Sequence, residues 1–344
     1  MSHHAIRRPV VVVADWREDN PDLNEGTDDL DLYTRDELDE ILEALGVVCQ
    51  NISVYPSPRE FIAQISHHQG ALVLPFWAGR ISRNRTALVS AIAEASGLDF
   101  FGADTYAYIV AQDKALAKHL AREFGLRTPA SILIRNLDQL DLIELVAAPV
   151  VVKPNLQGSS IGISQRSLCA DSAQARALVM ELLARFAQPV LVERFVEGRE
   201  VTVTIWGRPD AIDLFQTVEI YEPAGQIDFT KTIWSYELKK STHRPGKAQR
   251  AVSLDSSDEL ALRRLFTGMG KLELVRVDGR LTPDGFQFIE MNPEPYLGRI
   301  GSVAKAFALQ GCDYQEMFGR LLLPFDVLPQ GEAPVRQKRV VERQ

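Results

Sequence analysis

The first hundred residues alternate short apolar runs with amphipathic stretches of helical period, and this alternation restricts the fold more than any single motif. Val10–Ala14 is wholly apolar and reads as a buried strand. Thr34 opens a helix: Glu37 stands three residues on to complete a capping box, Leu38, Ile41, Leu42 and Leu45 share one face, and Gly46 is expected to end it. Val47–Val54 reads as a second strand. Ser57-Pro58-Arg59-Glu60 begins another helix, with proline at its first position. Ala71–Pro75 follows as a third strand, Thr86–Ser96 as a helix and Leu98–Phe101 as a fourth strand. Strands that alternate with helices require a parallel sheet covered on both faces. An α/β unit ending near residue 110 is therefore predicted.

Beyond residue 110 the pattern is more mixed. Helices are expected at Gln112–Phe124, near 138–146, at Ser172–Ala187 and at Ser256–Gly268, with more near 301–321. Strands are expected at Ser131–Ile134, Pro149–Lys153, Pro189–Arg194, Glu200–Trp206, Ala211–Ile220, Lys271–Asp278 and Phe286–Met291. Residues 222–250 form a long polar connection of the kind that is functional or disordered.

Composition excludes several classes. Of the 344 residues 46% are hydrophobic and 24% charged, which is ordinary for a globular enzyme and argues against dominant disorder. The net charge of −8 argues against a nucleic-acid or anionic-membrane binder. That charge is local: residues 15–40 hold twelve acids and two arginines, so the rest of the chain is close to neutral. Cys49, Cys169 and Cys312 are far apart and match no metal spacing, which indicates a reducing compartment such as the cytoplasm. No secretory signal and no apolar run of membrane-spanning length is read. His3 and His4 read as part of a terminal tail.

Three constellations carry chemistry. The first is Val150-Val151-Val152-Lys153-Pro154-Asn155-Leu156-Gln157-Gly158-Ser159-Ser160-Ile161-Gly162, a buried strand ending in lysine and followed by a Gly/Ser loop. Glycines let backbone N–H groups approach phosphate oxygens, and lysine is a point-charge phosphate binder. The second runs from Val190 through Glu193, Val196 and Glu200 to Val203, a hinge able to offer backbone groups to a planar base and carboxylates to a sugar. The third pairs Arg276 and Asp278 with Glu290 and Asn292 on two strands. Strand alternation puts each pair on one face, and such hard oxygens suit Mg²⁺. Taken singly, these segments also fit a flexible turn, a surface hairpin and a structural salt-bridge network.

Together, in this order and spacing, they resemble the ATP-grasp superfamily, and within it the D-alanine–D-alanine ligase group, over residues 98–325. The Gln112-Asp113-Lys114-Ala115-Leu116-Ala117-Lys118 segment is similar to that group's DK…K stretch. The resemblance implies an α/β ATP-grasp fold: a Rossmann-like pre-ATP-grasp domain (1–110), a small α+β lobe (111–192), a larger catalytic α+β lobe (193–325) and a basic tail (326–344). It implies that Lys114, Lys153 and the loop residue Lys239 bind ATP phosphates. Glu193 and Val196 would meet adenine, and Glu200 the ribose. Asp278, Glu290 and Asn292 would hold two Mg²⁺ ions, with Mn²⁺ an alternative. Arg276 would stabilise charge at the reacting carbonyl, with Ser159 and Ser160 over the γ-phosphate and substrate. Members of the group commonly form homodimers through the first domain.

The substrate half departs from the group's pattern. Ala14-Asp15-Trp16-Arg17-Glu18-Asp19 lacks its glycine pair, and Phe76–Asn84 lacks its HG..GEDG segment. Lys240 replaces its mobile-loop tyrosine, and Pro293-Glu294-Pro295-Tyr296 its TSPG turn. The expected function is an ATP-dependent carboxylate–amine ligase acting on small amino-acid-like substrates through an acyl phosphate. The alternatives are D-alanine–D-alanine ligation in peptidoglycan synthesis and a non-catalytic nucleotide-binding module. If the acidic stretch lines the pocket, it would favour an amine-rich substrate.

Overall fold

The computed structural model describes residues 6–17, 32–79, 82–224, 227–233, 235 and 248–326. Among the features singled out above, His3, His4, most of the acidic stretch (18–31), Lys239, Lys240 and all of the basic tail after Asp326 lie outside the described residues.

The first sheet is parallel, as the alternation requires. Its strands are β1 (Val10–Ala14), β4 (Ile52–Tyr55), β5 (Leu72–Phe76) and β6 (Asp99–Phe100), in the order β4-β1-β5-β6. Every residue of β1 and β5 is buried, because helices cover both faces. A small pair, β2 (Trp16–Arg17) and β3 (Tyr33–Thr34), leads into α1 (Arg35–Val48). The capping box forms: Glu37 N–H donates to Thr34 Oγ1 at 3.1 Å, and Thr34 N–H to Glu37 Oε2 at 2.8 Å. Gly46 does not end this helix. Val48 is buried in the core below it, and Cys49 N–H still reaches Leu45 O at 2.7 Å, so the strand begins only at Ile52. Helices α2 (Pro58–Gln64) and α3 (Leu88–Ala95) complete this layer.

The helix expected over Gln112–Phe124 is present as α5 (Lys114–Glu123), and a helix that was not expected, α4 (Thr105–Gln112), runs directly into it. Asp113 separates them, ending the first and capping the second by accepting from Leu116 N–H at 3.0 Å. The second sheet is antiparallel: β7 (Ser131–Ile134), β8 (Val150–Pro154), β9 (Leu168–Cys169) and β10 (Val190–Arg194), in the order β7-β10-β8-β9. Helix α6 (Ser172–Phe186) packs on it. The helix expected near 138–146 is a run of 3₁₀ turns over Leu137–Leu145, with Ile143 its buried anchor.

The third sheet is also antiparallel. It contains β11 (Arg199–Arg208), β12 (Ala211–Tyr221), β13 (Ala248–Ala251), β14 (Leu274–Thr282) and β15 (Gly285–Asn292), in the order β13-β12-β11-β14-β15. On one face Val201, Val203, Ile205, Val275 and Val277 join a core with α4, α5 and α7 (Ser256–Gly268). Period-two alternation turns Glu200, Thr202, Arg276 and Asp278 to the other face. The last helices, α8 (Ser302–Leu309) and α9 (Tyr314–Leu322), do not close the third sheet alone. Phe307, Met317, Phe318 and Leu321 share one core with Leu38, Ile41, Leu45 and Leu72 of the first unit.

Candidate active site

The polar face of the third sheet is a grid of chemically distinct side chains. Across β14 and β15, Arg276 lies opposite Asn292 and Asp278 opposite Glu290. Across β11 and β14, Thr202 lies opposite Asp278 and Glu200 opposite Arg280. Arg276 grips Asp278 through Nε and Nη2, each at 2.7 Å, and Asn292 Nδ2 donates to Asp278 Oδ2 at 3.0 Å. The convergence expected from strand period is therefore present.

A cavity of about 790 Å³ opens over this face. It is lined by Lys114, Lys153, Ser159, Ser160, Glu193, Val196, Glu200, Arg276, Asp278, Glu290 and Asn292. All the sequence-predicted site residues among the described ones thus meet in one place. Lys239, the remaining one, lies outside the described residues.

The second sheet supplies the cationic floor. Lys153 stands one residue before the end of β8, and its Nζ donates to Glu193 Oε1 on neighbouring β10. Lys118, buried on α5, contacts Glu193 Oε2 at 2.8 Å. Burial alone would raise the Glu193 carboxyl, but the two ammonium groups hold it below its ordinary value. Lys114 lies 3.3 Å from Glu290 Oε2 and donates to Gln157 O in the Gly/Ser loop. In that loop Ser159 and Ser160 have φ of 46° and 62°. Left-handed backbone at two successive non-glycine residues persists only where the surroundings hold it, and ligand-gripping loops are where such strain collects.

Two residues missed by the sequence reading tie the site to its surroundings. Arg280 pairs with Glu200 at 3.2 Å and donates to Phe229 O at 3.0 Å and Thr230 O at 3.1 Å. Gln165 Nε2 donates to Ser235 Oγ at 3.0 Å, while Thr232 Oγ1 donates to Gln165 Oε1 at 3.1 Å. Strand period could have found Arg280, two residues after Asp278; no local signal marks Gln165. Burial pushes Glu200 up to about 7, opposed by Arg280 and reinforced by Asp278 and Glu290. Thr202 is buried against the cavity with no hydrogen-bond partner for Oγ1 among the described residues.

The opposite wall comes from the first unit and the turn after β15. Asp15 accepts from Ala78 N–H at 3.0 Å and Gly79 N–H at 2.8 Å, so two of the segments that depart from the family pattern are joined. Tyr33 and Tyr296 stack with centroids 5.6 Å apart. Tyr296 donates to Glu37 at 2.8 Å, and Tyr108 to Glu294 at 3.1 Å.

The donor set fits a nucleotide with a divalent cation. Buried Lys153 suits phosphate, and the unpartnered Thr202 hydroxyl awaits a polar partner. No group of three or more His, Cys, Asp or Glu able to hold a metal occurs among the described residues. Two carboxylates and an amide leave positions open, and Mg²⁺ characteristically fills such positions with water and phosphate oxygens.

A parallel α/β unit, an antiparallel four-stranded lobe and an antiparallel five-stranded sheet, with a lysine- and carboxylate-lined cavity over that sheet, define an ATP-grasp enzyme. The chain belongs to the D-ala D-ala ligase C-terminus family, whose model matches residues 126–323. D-Alanine–D-alanine ligase from Bordetella petrii is 28% identical over 226 residues, 65% of this chain and 67% of that protein. The Aquifex aeolicus enzyme of the same name is 28% identical over 250 residues, 71% and 79% of the two chains. The fold is also that of D-alanine–D-alanine ligase from Bacillus anthracis crystallised with ATP, with TM-score 0.65, 17% identity and coverage of 93% and 97%. VanG D-Ala:D-Ser ligase from Enterococcus faecalis gives TM-score 0.65, 18% identity and coverage of 93% and 99%. The chain is an ATP-dependent ligase of this family. Among the described residues no helix is long and apolar enough to cross a membrane.

Proposed function

We propose that the enzyme joins a carboxylic acid to an amine, both small and amino-acid-like, through an acyl phosphate, with release of ADP and phosphate, and that its substrates are not two D-alanines. One observation carries this reading: the residues of the nucleotide half line one wall of a single cavity, whereas the facing wall is built from Tyr33, Tyr296, Glu294 and Asp15 in place of the family's small turn and glycine pair. The three buried free thiols support a cytoplasmic location. We divide the chain at residues 110, 192 and 325, and dimerisation through the first unit remains part of the same reading.

In this reading Lys114, Lys153 and Lys239 hold the phosphates. Glu193 and Val196 face the adenine and Glu200 the ribose. Asp278, Glu290 and Asn292 hold two Mg²⁺ ions, or Mn²⁺ in their place. Bound there, the ions neutralise charge that develops during phosphoryl transfer. A carboxylate is a poor acyl donor, and phosphorylation gives it a good leaving group. Attack by the amine then puts negative charge on the former carbonyl oxygen. Arg276 lies in the cavity wall where its guanidinium can stabilise that oxyanion. Ser159 and Ser160 sit over the transferred group, and the walls around it must exclude water, because acyl phosphates hydrolyse.

Phosphate release measured over a matrix of acid and amine pairs tests the proposal. Turnover that needs both an acid and an amine is expected, and an ATP-binding protein stimulated by no pair would overturn it. A second reading, D-alanine–D-alanine ligation, is favoured by the names of the relatives. It requires that D-alanine alone drive turnover.

A further inference from the structure

Lys118 is completely buried and is not one of the residues lining the cavity, yet its ammonium lies 2.8 Å from Glu193, which does line it. Glu193 in turn accepts from Lys153, also in the wall. Three charges thus form a row leading from the α5 core to the cavity: ammonium, carboxylate, ammonium. Lys118 Nζ also donates to Phe288 O at 3.4 Å. A buried ammonium is costly unless paired, and burial holds this one down to about 8 against the pull of Glu193.

We infer that Lys118 is a positioning residue that sets the charge Lys153 presents to the nucleotide phosphates. The inference rests on the nucleotide reading above. With Lys118 in place the row carries a net charge of one positive, because Glu193 is shared. Without it, Glu193 belongs to Lys153 alone and the pair is neutral towards the cavity. A group that touches no ligand would thereby govern affinity for the charged part of the nucleotide while leaving its uncharged part alone. The sequence marks Lys118 only as the last lysine of the DK…K stretch, one helical turn after Lys114, and gives no sign of its pairing with Glu193, which is distant in sequence.

The test compares binding of a non-hydrolysable ATP analogue with binding of adenosine, by calorimetry, in the full-length protein. The ratio of the two affinities isolates the phosphate contribution. In Lys118→Met the ratio should fall about tenfold, with adenosine affinity changed less than threefold. In Lys118→Met/Glu193→Gln it should return to within threefold of wild type, because the row is again one positive. Both results support the inference. An unchanged ratio in folded Lys118→Met, or a double variant as low as the single one, overturns it. Should Lys118→Met not fold, Glu193→Gln decides: its ratio is expected to rise, and a fall overturns the inference. Wild-type protein that binds neither compound would overturn the nucleotide reading itself, a result distinct from all of these.

Discussion

Asp278 engages Arg276 through both carboxylate oxygens and accepts from Asn292 as well, so these polar groups on the cavity face orient one another. Such preorganisation makes single deletions severe. Lys153→Ala and Glu290→Gln are each expected to lower turnover by at least about 100-fold while the circular dichroism spectrum stays native. Wild-type rates in either would show that the residue has no part in the chemistry. Glu200 offers a prediction with a sign. Its carboxyl rises from 4.5 to about 7 on folding, chiefly through burial. Between these values the unfolded chain releases a proton that the folded chain retains, so this group costs stability as pH rises from about 4.5 to about 7. Glu200→Gln removes that cost. The melting-temperature difference, variant minus wild type, should therefore increase across this window, and a difference independent of pH would refute the assignment. Arg276, Asp278, Glu290 and Asn292 were legible beforehand because strand period alone fixes which face a residue occupies. The pairing of Glu193 with Lys118 was not, since it joins a helix to a strand distant in sequence.

At the scale of elements, local chemistry was read well where a cap or a period dominated and poorly where packing overrode it. The capping box of α1 formed as expected, whereas Gly46 remained helical because buried Val48 draws the chain on. Helix α4 escaped notice, whereas the start of α5 was read to within two residues; Asp113 ends the first while capping the second, leaving no loop between them. The Gly/Ser loop shows the same contest in space. At Gly162, with φ of 75°, an added Cβ would lie 2.6 Å from Pro154 and 2.8 Å from the Phe186 ring. Gly162→Ala should therefore destabilise the second sheet and α6 by about 1–3 kcal/mol and weaken nucleotide binding with it. Thermal unfolding and nucleotide titration would check this, and a neutral substitution would mean the loop yields easily.

Across the whole molecule the decisive fact is that chain order and core membership differ. Helices α8 and α9 follow the third sheet in sequence, yet pack into the core that contains β1, β5 and α1. Periodicity marked them as helices but could not say which sheet they would cover, because an apolar face does not identify its partner. Phe318→Ala, at a wholly buried position in that shared core, should cost about 3–5 kcal/mol. It should lower the melting temperature of the entire protein in one transition. A separate early transition confined to the first unit would argue that the two are independent. The Gln165 amide has a parallel consequence for timing. It bonds simultaneously to the backbone or side chains of Thr232, Ile233 and Ser235, and so ties the segment after the Gly/Ser loop to the one carrying Ile233, which lines the cavity. Under the proposed mechanism, a rim held together in this way would keep water from an acyl phosphate until the amine attacks it. With Gln165→Ala the two sides would fluctuate independently, and the loss would appear as wasted fuel: more than one phosphate released for every bond made.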